Sequence, residues 1–129
     1  MDLTKEINKI LNDYVKGVEK SMIDVEEEVA AEAVKKLKQT SPKKTRGKKA
    51  GHYAKSWEID SKAKKQYAET IIHNKDYQLT HLLENGHDIV RNGKVVGHAQ
   101  AQVHIKPVEE WAIDEVIDRT ITKVERLTR

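Results

Sequence analysis

The chain has 129 residues, and its 24 Lys and Arg against 21 Asp and Glu leave a formal net charge of +3, too balanced for a protein built around nucleic acid. It has no cysteine, which excludes disulfides, thiolate metal sites and cysteine-based catalysis. Only 37% of the residues are hydrophobic and 5% are aromatic, so we expect a single domain that completes its burial against partners.

Residues 3–37 carry apolar side chains at spacings of three and four, which predicts a long helix over residues 1–39. Asp2 or Thr4 is the expected N-cap, and the Thr-Ser-Pro turn at 40–42 is expected to end the helix. The same segment has no continuous apolar run, so we expect neither a signal peptide nor a membrane span.

The predicted helix is longer than the domain that should hold it. About 35 helical residues span roughly 50 Å, whereas a compact globule of this length is about 36 Å across. The helix must therefore either bend at Gly17 or extend beyond the domain. An extended helix would leave Ile7, Leu11 and Val18 uncovered unless another subunit packs on them. We take these three residues, together with Met22, as the predicted subunit interface.

Residues 41–55 are predicted to form a basic loop that contains two glycines and six cations without an acid. The cations are Lys43, Lys44, Arg46, Lys48, Lys49 and Lys55. Such a loop is either solvated or, with Tyr53 and Trp57 beside it, holds a phosphate backbone without reading its sequence. Both interpretations stay open.

Residues 56–105 are predicted to hold a small sheet, a short helix and a hairpin. Alternating apolar residues that begin at Trp57 predict one strand, and residues 66–73 predict a second. A polar turn at 61–65 would join them, so we expect an antiparallel pair.

The short helix is predicted at residues 77–84, with Asp76 as its cap and Gly86 in the left-handed position that ends it. Its apolar face is formed by Leu79, Leu82 and Leu83. After it, the Asn-Gly pair at 92–93 lies between β-branched residues and predicts a tight hairpin turn.

Pro107 fits the first turn of a last helix over residues 107–129, because proline is tolerated where the backbone N–H has no helical partner. Apolar residues at helical spacing follow it. The predicted fold class is α+β, with long N-terminal and C-terminal helices packed on a small antiparallel sheet and with the short helix and the hairpin between them. We expect residues 1–129 to form one domain.

The histidines at His81, His87, His98 and His104 raise the question of a metal site. His81 and His87 are six apart, so on one helix they would point about 120° from each other and could not chelate one ion. His98 and His104 could still converge on either of them, which leaves a histidine metal site as an alternative. His81 and Glu84 are three apart, a spacing that favours a local hydrogen bond or ion pair over proton transfer.

The sequence also lacks the motifs of common enzymes. No serine lies in a G-x-S-x-G setting, and no glycine-rich phosphate loop is present. We therefore expect no enzymatic activity and no cofactor.

The stretches SPKKT (41–45), YAKSW (53–57), NKDYQLTHLLENGH (74–87) and HIKP (104–107) occur in this order. Together they resemble a family of tailed-phage neck proteins, which join head to tail or complete the tail in phages, prophages and phage-tail-like bacteriocins. The resemblance covers residues 41–112, and the N-terminal segment resembles the family only in being helical. One departure is visible, because RGKKA (46–50) stands before Gly51 where the family usually has its glycine directly after the threonine.

The resemblance implies a structural virion subunit without catalysis or cofactor, made in the bacterial cytoplasm, that forms a ring of six copies at the neck or tail end. Its partners would be copies of itself and neighbouring neck, connector, tail-tube or sheath proteins, with no membrane. Non-specific DNA would pass through the lumen and face the basic loop. Tail completion, tail termination and a collar all fit, and the alternative is a sequence-independent DNA-binding protein that uses this loop.

The same resemblance gives the histidine-containing stretch a packing role. The three leucines would seat the short helix on the sheet, and the glycine would turn the chain. His81 and His87 would satisfy polar groups around that turn, and His104 would do so at the entry to the last helix.

Overall fold

The computed structural model describes residues 2–43, 50–63 and 68–128. The elements in chain order are α1 (Leu3–Thr40), α2 (His52–Lys55), β1 (Trp57–Ala63), β2 (Ala68–Asn74), α3 (Tyr77–Asn85), β3 (His87–Arg91), β4 (Lys94–Ala99) and α4 (Ile105–Leu127). Long terminal helices accompany two small antiparallel sheets and a short helix, which confirms the predicted α+β class. Among the described helices, none is long and apolar enough to cross a membrane.

Helix α1 is a single element of 38 residues, about 57 Å long at 1.5 Å per residue. Its N-cap is Asp2, whose Oδ1 accepts hydrogen bonds from the backbone N–H of Thr4 at 3.1 Å and of Lys5 at 3.2 Å. The helix continues through Gly17 without a break. Of the two predicted alternatives, the chain therefore adopts the extended helix and not the one broken at the glycine.

Helix α4 packs antiparallel against the second half of α1. The pairs in contact along the two helices are Lys36 with Trp111, Glu32 with Arg119, and Gly17 with Leu127. The hydrogen bond from the Arg119 guanidinium lowers the pKa of the Glu32 carboxyl. Since Leu127 is the last residue of α4, this helix covers α1 only as far as Gly17.

The core lies along the C-terminal half of α1. Its buried apolar side chains are Val25, Val29, Ala30, Ala33 and Leu37 of α1, Tyr53 and Ala54 of α2, Trp57 of β1 and Val108 of α4. No side chain N-terminal to Val25 is buried in the described part of α1. The domain is thus built around one end of its longest helix.

The predicted basic loop contains a helical turn, α2, at its C-terminal end. Tyr53 and Ala54 are buried there, and the rings of Tyr53 and Trp57 pack edge to face with centroids 5.8 Å apart. The prediction of a loop through residue 55 was therefore wrong. Tyr53 and Ala54 pack into the core. In the sequence, the basic residues on either side made this short apolar pair look like part of a loop.

The sheet β1–β2 is antiparallel, and Trp57 lies opposite Asn74 in its register. The turn predicted at 61–65 begins too early, because Ser61 pairs with Thr70 in the ladder. Backbone hydrogen bonds continue here although the side chains are polar on both strands. Polarity alone is therefore a poor marker of where β1 ends.

The hairpin β3–β4 forms around the predicted Asn-Gly turn. Asn92 has a φ of 51° and Gly93 a φ of 73°, as a type I′ turn requires at its two central positions. A register shift lies between Ile89 and Val90, where one strand carries an extra residue. The hairpin is a sheet of its own, separate from β1–β2.

Helix α3 agrees with its prediction within one residue, but its two ends differ in detail. The Asp76 side chain makes no capping hydrogen bond, and its Oδ2 instead lies 3.2 Å from His52 Nε2. Gly86 has the expected positive φ of 75°, yet its ψ of 170° is extended and not left-handed helical. The Asp76 carboxylate thus contacts His52 of α2 instead of capping α3.

Of the three leucines expected to seat α3, only Leu83 packs against the core, where it is partly buried. Leu79 is 44% exposed and Leu82 is 41% exposed, so the prediction was wrong for both. Leu82 lies about 100° from Leu83 around the helix. Leu79 faces a cleft of about 620 Å³ beside α2. A short helix at the edge of the domain turns only one of these side chains inward.

Candidate subunit interface

A polar joint holds α3 to the start of α4. Glu84 Oε1 accepts hydrogen bonds from the backbone N–H of His104 at 2.8 Å and of Ile105 at 3.0 Å, and its Oε2 accepts from Lys106 at 3.1 Å. Burial alone would raise the pKa of Glu84, but these donors and the nearby His104 ring hold it below its ordinary value. This cap from another helix lets α4 begin at Ile105, two residues before its predicted start.

His104 is buried at the same joint. Its Nδ1 lies 2.7 Å from the Gln102 carbonyl oxygen, which can only accept, so Nδ1 carries the proton. In the neutral ring Nε2 is then an acceptor, and the Tyr53 hydroxyl donates to it at 2.7 Å. Burial raises the pKa of Tyr53, which keeps this hydroxyl protonated. The stretches YAKSW, HLLENGH and HIKP thus meet in one joint.

The other two histidines of the predicted motif do not share this role. His81 is exposed, and Glu84, its expected partner, is engaged by the N-terminus of α4. His87 is partly buried, and its Nδ1 has no hydrogen-bond partner within the described residues. At Nδ1, therefore, the expectation that His87 satisfies polar groups around the turn finds no support.

The remaining histidines pair with carboxylates near the surface. These pairs are His52 with Asp76 at 3.2 Å, His73 with Glu58 at 3.4 Å and His98 with Asp88 at 3.1 Å. Within residues 2–43, 50–63 and 68–128, no three His, Asp or Glu side chains are placed to hold a metal ion. The arrangement offers separate histidine–carboxylate contacts, with Lys75 Nζ also 3.7 Å from Glu58, and contacts of this kind contribute little individually at a surface.

A continuous apolar surface lies on the N-terminal turns of α1. It consists of Leu3, Ile7, Ile10, Leu11, Tyr14 and Val15, whose exposed fractions run from 39% to 64%. We call these six residues the N-terminal stripe. At about 100° per residue they occupy an arc of roughly 140° that contains no charged side chain. Exposed apolar patches of this kind mark interaction sites.

The N-terminal stripe lies on the helix face that the core uses further along the chain. Val25 and Val29, which are buried, fall within the same arc at 100° per residue. The stripe is uncovered because α4 ends at Leu127, opposite Gly17. The sequence thus keeps one apolar face over most of α1, while the described chain covers only the second half of it.

A second apolar surface lies beside the second half of α1, between α1, β2 and α4. This groove has a volume of about 470 Å³, and its floor includes Val29, Ile72 and Val116. Ile113 and Ile117 also line it, and each is 51% exposed. Ile121, 53% exposed, continues the same row of isoleucines four residues further along α4. We call the groove and this row the α4 groove.

The hairpin carries a third set of exposed apolar side chains. Ile89, Val90, Val95 and Val96 are between 38% and 64% exposed. A two-stranded hairpin is marginally stable alone, and its apolar residues gain burial only against another surface. It is therefore a further candidate contact region, distinct from the two surfaces on the helices.

The predicted interface residues fall into two groups. Ile7 and Leu11 lie in the N-terminal stripe and are each 55% exposed. Val18 is partly buried within the chain itself, and Met22 is 37% exposed. The prediction omitted Tyr14 and the isoleucine row of α4, although both stood in the sequence as helical spacings of three and four.

The basic segment is only partly described. Lys43 and Lys55 are exposed, whereas Lys44, Arg46, Lys48 and Lys49 lie outside the described residues. The rings of Tyr53 and Trp57, which could have stacked on bases, are 7% and 5% exposed. They belong to the core, so any contact of this segment with nucleic acid would have to rest on charge and not on these two rings.

The comparisons with known proteins agree with the resemblance seen in the sequence as to the family, but the matched residues include most of α1 and leave out HIKP (104–107), unlike the expected range of 41–112. A protein-family model described as "Bacteriophage HK97-gp10, putative tail-component" matches residues 5–86, which is more than half of the chain. The match includes most of the N-terminal stripe and all of α3. Neither a curated protein nor a solved structure matches the chain. The chain belongs to the HK97-gp10-like family of bacteriophage tail components.

Proposed function

We propose that the chain is a structural subunit that forms a closed ring at the head–tail neck or at the tail end of a phage or phage-tail-like particle. The single observation that carries this proposal is the N-terminal stripe, an uncharged apolar helix face that the described chain leaves exposed. The family supports a tail component located in the virion. The subunit would act in tail completion, in tail termination or as part of a collar.

The area of the stripe supports an assembly role. Six large side chains at these exposures present roughly 600 Å², the upper end of what a monomeric protein shows as its largest apolar patch. Burying this surface against another subunit would be favourable, because it would remove apolar area from water. A subunit that works only in an assembly has no need of a complete core of its own.

Copies of the chain can form a ring if each copy carries two different surfaces that bind each other. Contacts between unlike surfaces repeat around a rotation axis and close when the rotation allows it. The N-terminal stripe and the α4 groove are two such surfaces, and they lie at different positions along α1. Six copies are the number that the family resemblance leads us to expect.

The proposal gives the remaining exposed surfaces to neighbouring proteins. The hairpin, with Val90 and Val95 59% and 64% exposed, is suited to contact a neck, connector, tail-tube or sheath protein above or below the ring. Lys43 and Lys55, with the cations between them in the sequence, would face DNA in the lumen. We propose no catalytic role and no cofactor for this subunit, and we place its synthesis in the cytoplasm of the bacterial host.

Particle morphology tests the proposal. When the gene for this chain is inactivated in the producing strain, electron microscopy should show separated heads and tails or tails of irregular length. A plasmid copy of the gene should restore joined particles. Normal particles in the absence of the chain would contradict the proposal.

A sequence-independent DNA-binding protein is the competing function, and the basic segment 43–49 favours it. Binding of the purified chain to duplex DNA should then be tight at low salt and fall steeply as salt rises, because each phosphate contact releases a counterion. A neck subunit should bind duplex DNA weakly at every salt concentration.

A further inference from the structure

We propose that the N-terminal stripe of one copy packs into the α4 groove of the next copy, so that a single kind of contact repeats around the ring. This inference rests on the proposed ring and names the surface that receives the stripe. The occupant of the groove is thus a second copy of this chain.

The stripe cannot fill the groove of its own chain. Val15, at the end of the stripe, and Val29, in the floor of the groove, lie about 21 Å apart along one continuous helix. The helix runs through Gly17 without a break, so the first half cannot fold back over the second. A contact between stripe and groove therefore joins two different copies.

Contacts between like surfaces would leave part of the apolar area bare. Two stripes packed on each other would close a twofold dimer, and Ile113, Ile117 and Ile121 would stay exposed in both copies. The contact of stripe with groove covers both surfaces of every copy with one kind of interface. It also gives a role to both apolar surfaces on the helices.

Charge argues against two grooves facing each other. Glu26 lines the groove, and Glu110 and Asp114 stand beside the isoleucine row at 100° per residue. Two such surfaces would bring like charges together, which costs free energy. The arc of the stripe contains no charged side chain, so it can approach the groove without this repulsion.

The areas are sufficient for a specific contact. The stripe contributes roughly 600 Å², and a groove and rim that receive it would lose a comparable area, giving about 1,200 Å² in total. This total lies at the lower end of stable protein interfaces. Closure of a ring adds a second contact to every copy, so modest contacts are enough to hold the assembly.

Engineered disulfides test the pairing, because the chain has no cysteine of its own. Ile10→Cys and Ile117→Cys would be made as separate variants; both positions are more than half exposed, so neither change should disturb the fold. Under mild oxidation an equimolar mixture should give a covalent dimer of the two different variants. Peptide mass analysis should locate the bond between positions 10 and 117. Lys9→Cys, which faces away from the stripe, should give no such dimer with Ile117→Cys.

The outcomes separate this pairing from the proposed ring itself. If the wild-type chain forms a closed oligomer but Ile10→Cys links only to itself, the pairing of stripe with groove is overturned and the ring stands. If the oligomer forms and neither kind of link appears, with Ile7→Cys and Ile113→Cys behaving the same way, the pairing is also overturned. If the chain forms no oligomer alone or in particles, the ring is overturned as well.

Discussion

The Glu84 carboxylate lies at the end of α3 and caps α4, accepting a hydrogen bond from the backbone N–H of His104 at 2.8 Å while lying 3.1 Å from the Nδ1 of the same residue. The two residues are separated along the chain by the whole hairpin. Their contact therefore fixes the base of the hairpin and the direction in which α4 leaves it. That direction determines where α4 runs along α1, and hence where the N-terminal stripe ends.

Replacing Glu84 by alanine should destabilise the fold by about 2 kcal/mol, because three backbone N–H groups at the start of α4 lose a charged acceptor. Glu84→Gln keeps an acceptor oxygen and should cost less. Urea unfolding followed by circular dichroism measures both. Equal stability of wild type and Glu84→Ala would contradict the capping role.

The same residue predicts a pH dependence. The pKa of Glu84 is lowered in the folded chain relative to its ordinary value of 4.5. Its ionised form therefore stabilises the fold at pH values above the unfolded pKa, and this contribution is lost as the pH falls through the folded pKa. The stability difference between wild type and Glu84→Gln should be constant near neutral pH and shrink in acid. A difference that does not change down to about pH 3 would refute this.

Gly86 and Gly93 provide a matched pair. Both have a positive φ, but a Cβ on Gly86 would lie 2.7 Å from the Ala99 carbonyl oxygen, whereas a Cβ on Gly93 would meet nothing within 4 Å. Gly93→Ala should cost about 1 kcal/mol through backbone strain alone. Gly86→Ala should cost at least about 1 kcal/mol more, because backbone atoms must move. Thermal unfolding measures both, and equal losses would show that the close approach at Gly86 is unimportant.

Several elements could be predicted from the sequence because their signals are local. The spacing of apolar residues gave α1, the Asn-Gly pair at 92–93 gave the hairpin, and Pro107 marked the first turn of α4. The cap by Glu84 could not be foreseen in this way, since its partners lie about twenty residues further along the chain. Helical spacing also cannot say which face of α3 meets the domain, and so it misplaced Leu82.

The candidate interface also combines features that the sequence predicts locally with features that depend on tertiary contacts. The sequence contains the apolar face of α1 and its excess length, and these were sufficient to predict that Ile7 and Leu11 are left exposed in the single chain. Which part of the face is covered depends on where α4 ends against Gly17, a tertiary relationship. For that reason Val18 was assigned to the interface although it is partly buried in its own chain.

Leu83 and Leu82 test the placement of α3. Leu83 packs against the core, so Leu83→Ala should destabilise the chain by about 2 kcal/mol. Leu82 is 41% exposed, and Leu82→Ala should cost less than about 1 kcal/mol. Both values come from urea unfolding of the same preparation. A larger loss for Leu82→Ala than for Leu83→Ala would mean that α3 is rotated relative to this structure.

The mass of the purified chain in solution, measured over a range of concentrations, tests the central claim most directly. We expect the wild-type chain to form one closed oligomer and the double variant Ile7→Glu/Leu11→Glu to be a monomer that keeps the circular dichroism spectrum of the folded chain, since both side chains are exposed in the single chain. Lys9→Glu, on the far side of the helix from the stripe, should assemble like the wild type. A double variant that assembles like the wild type, or a wild-type chain that forms no oligomer either in solution or in particles, would contradict the claim that the N-terminal stripe joins the subunits.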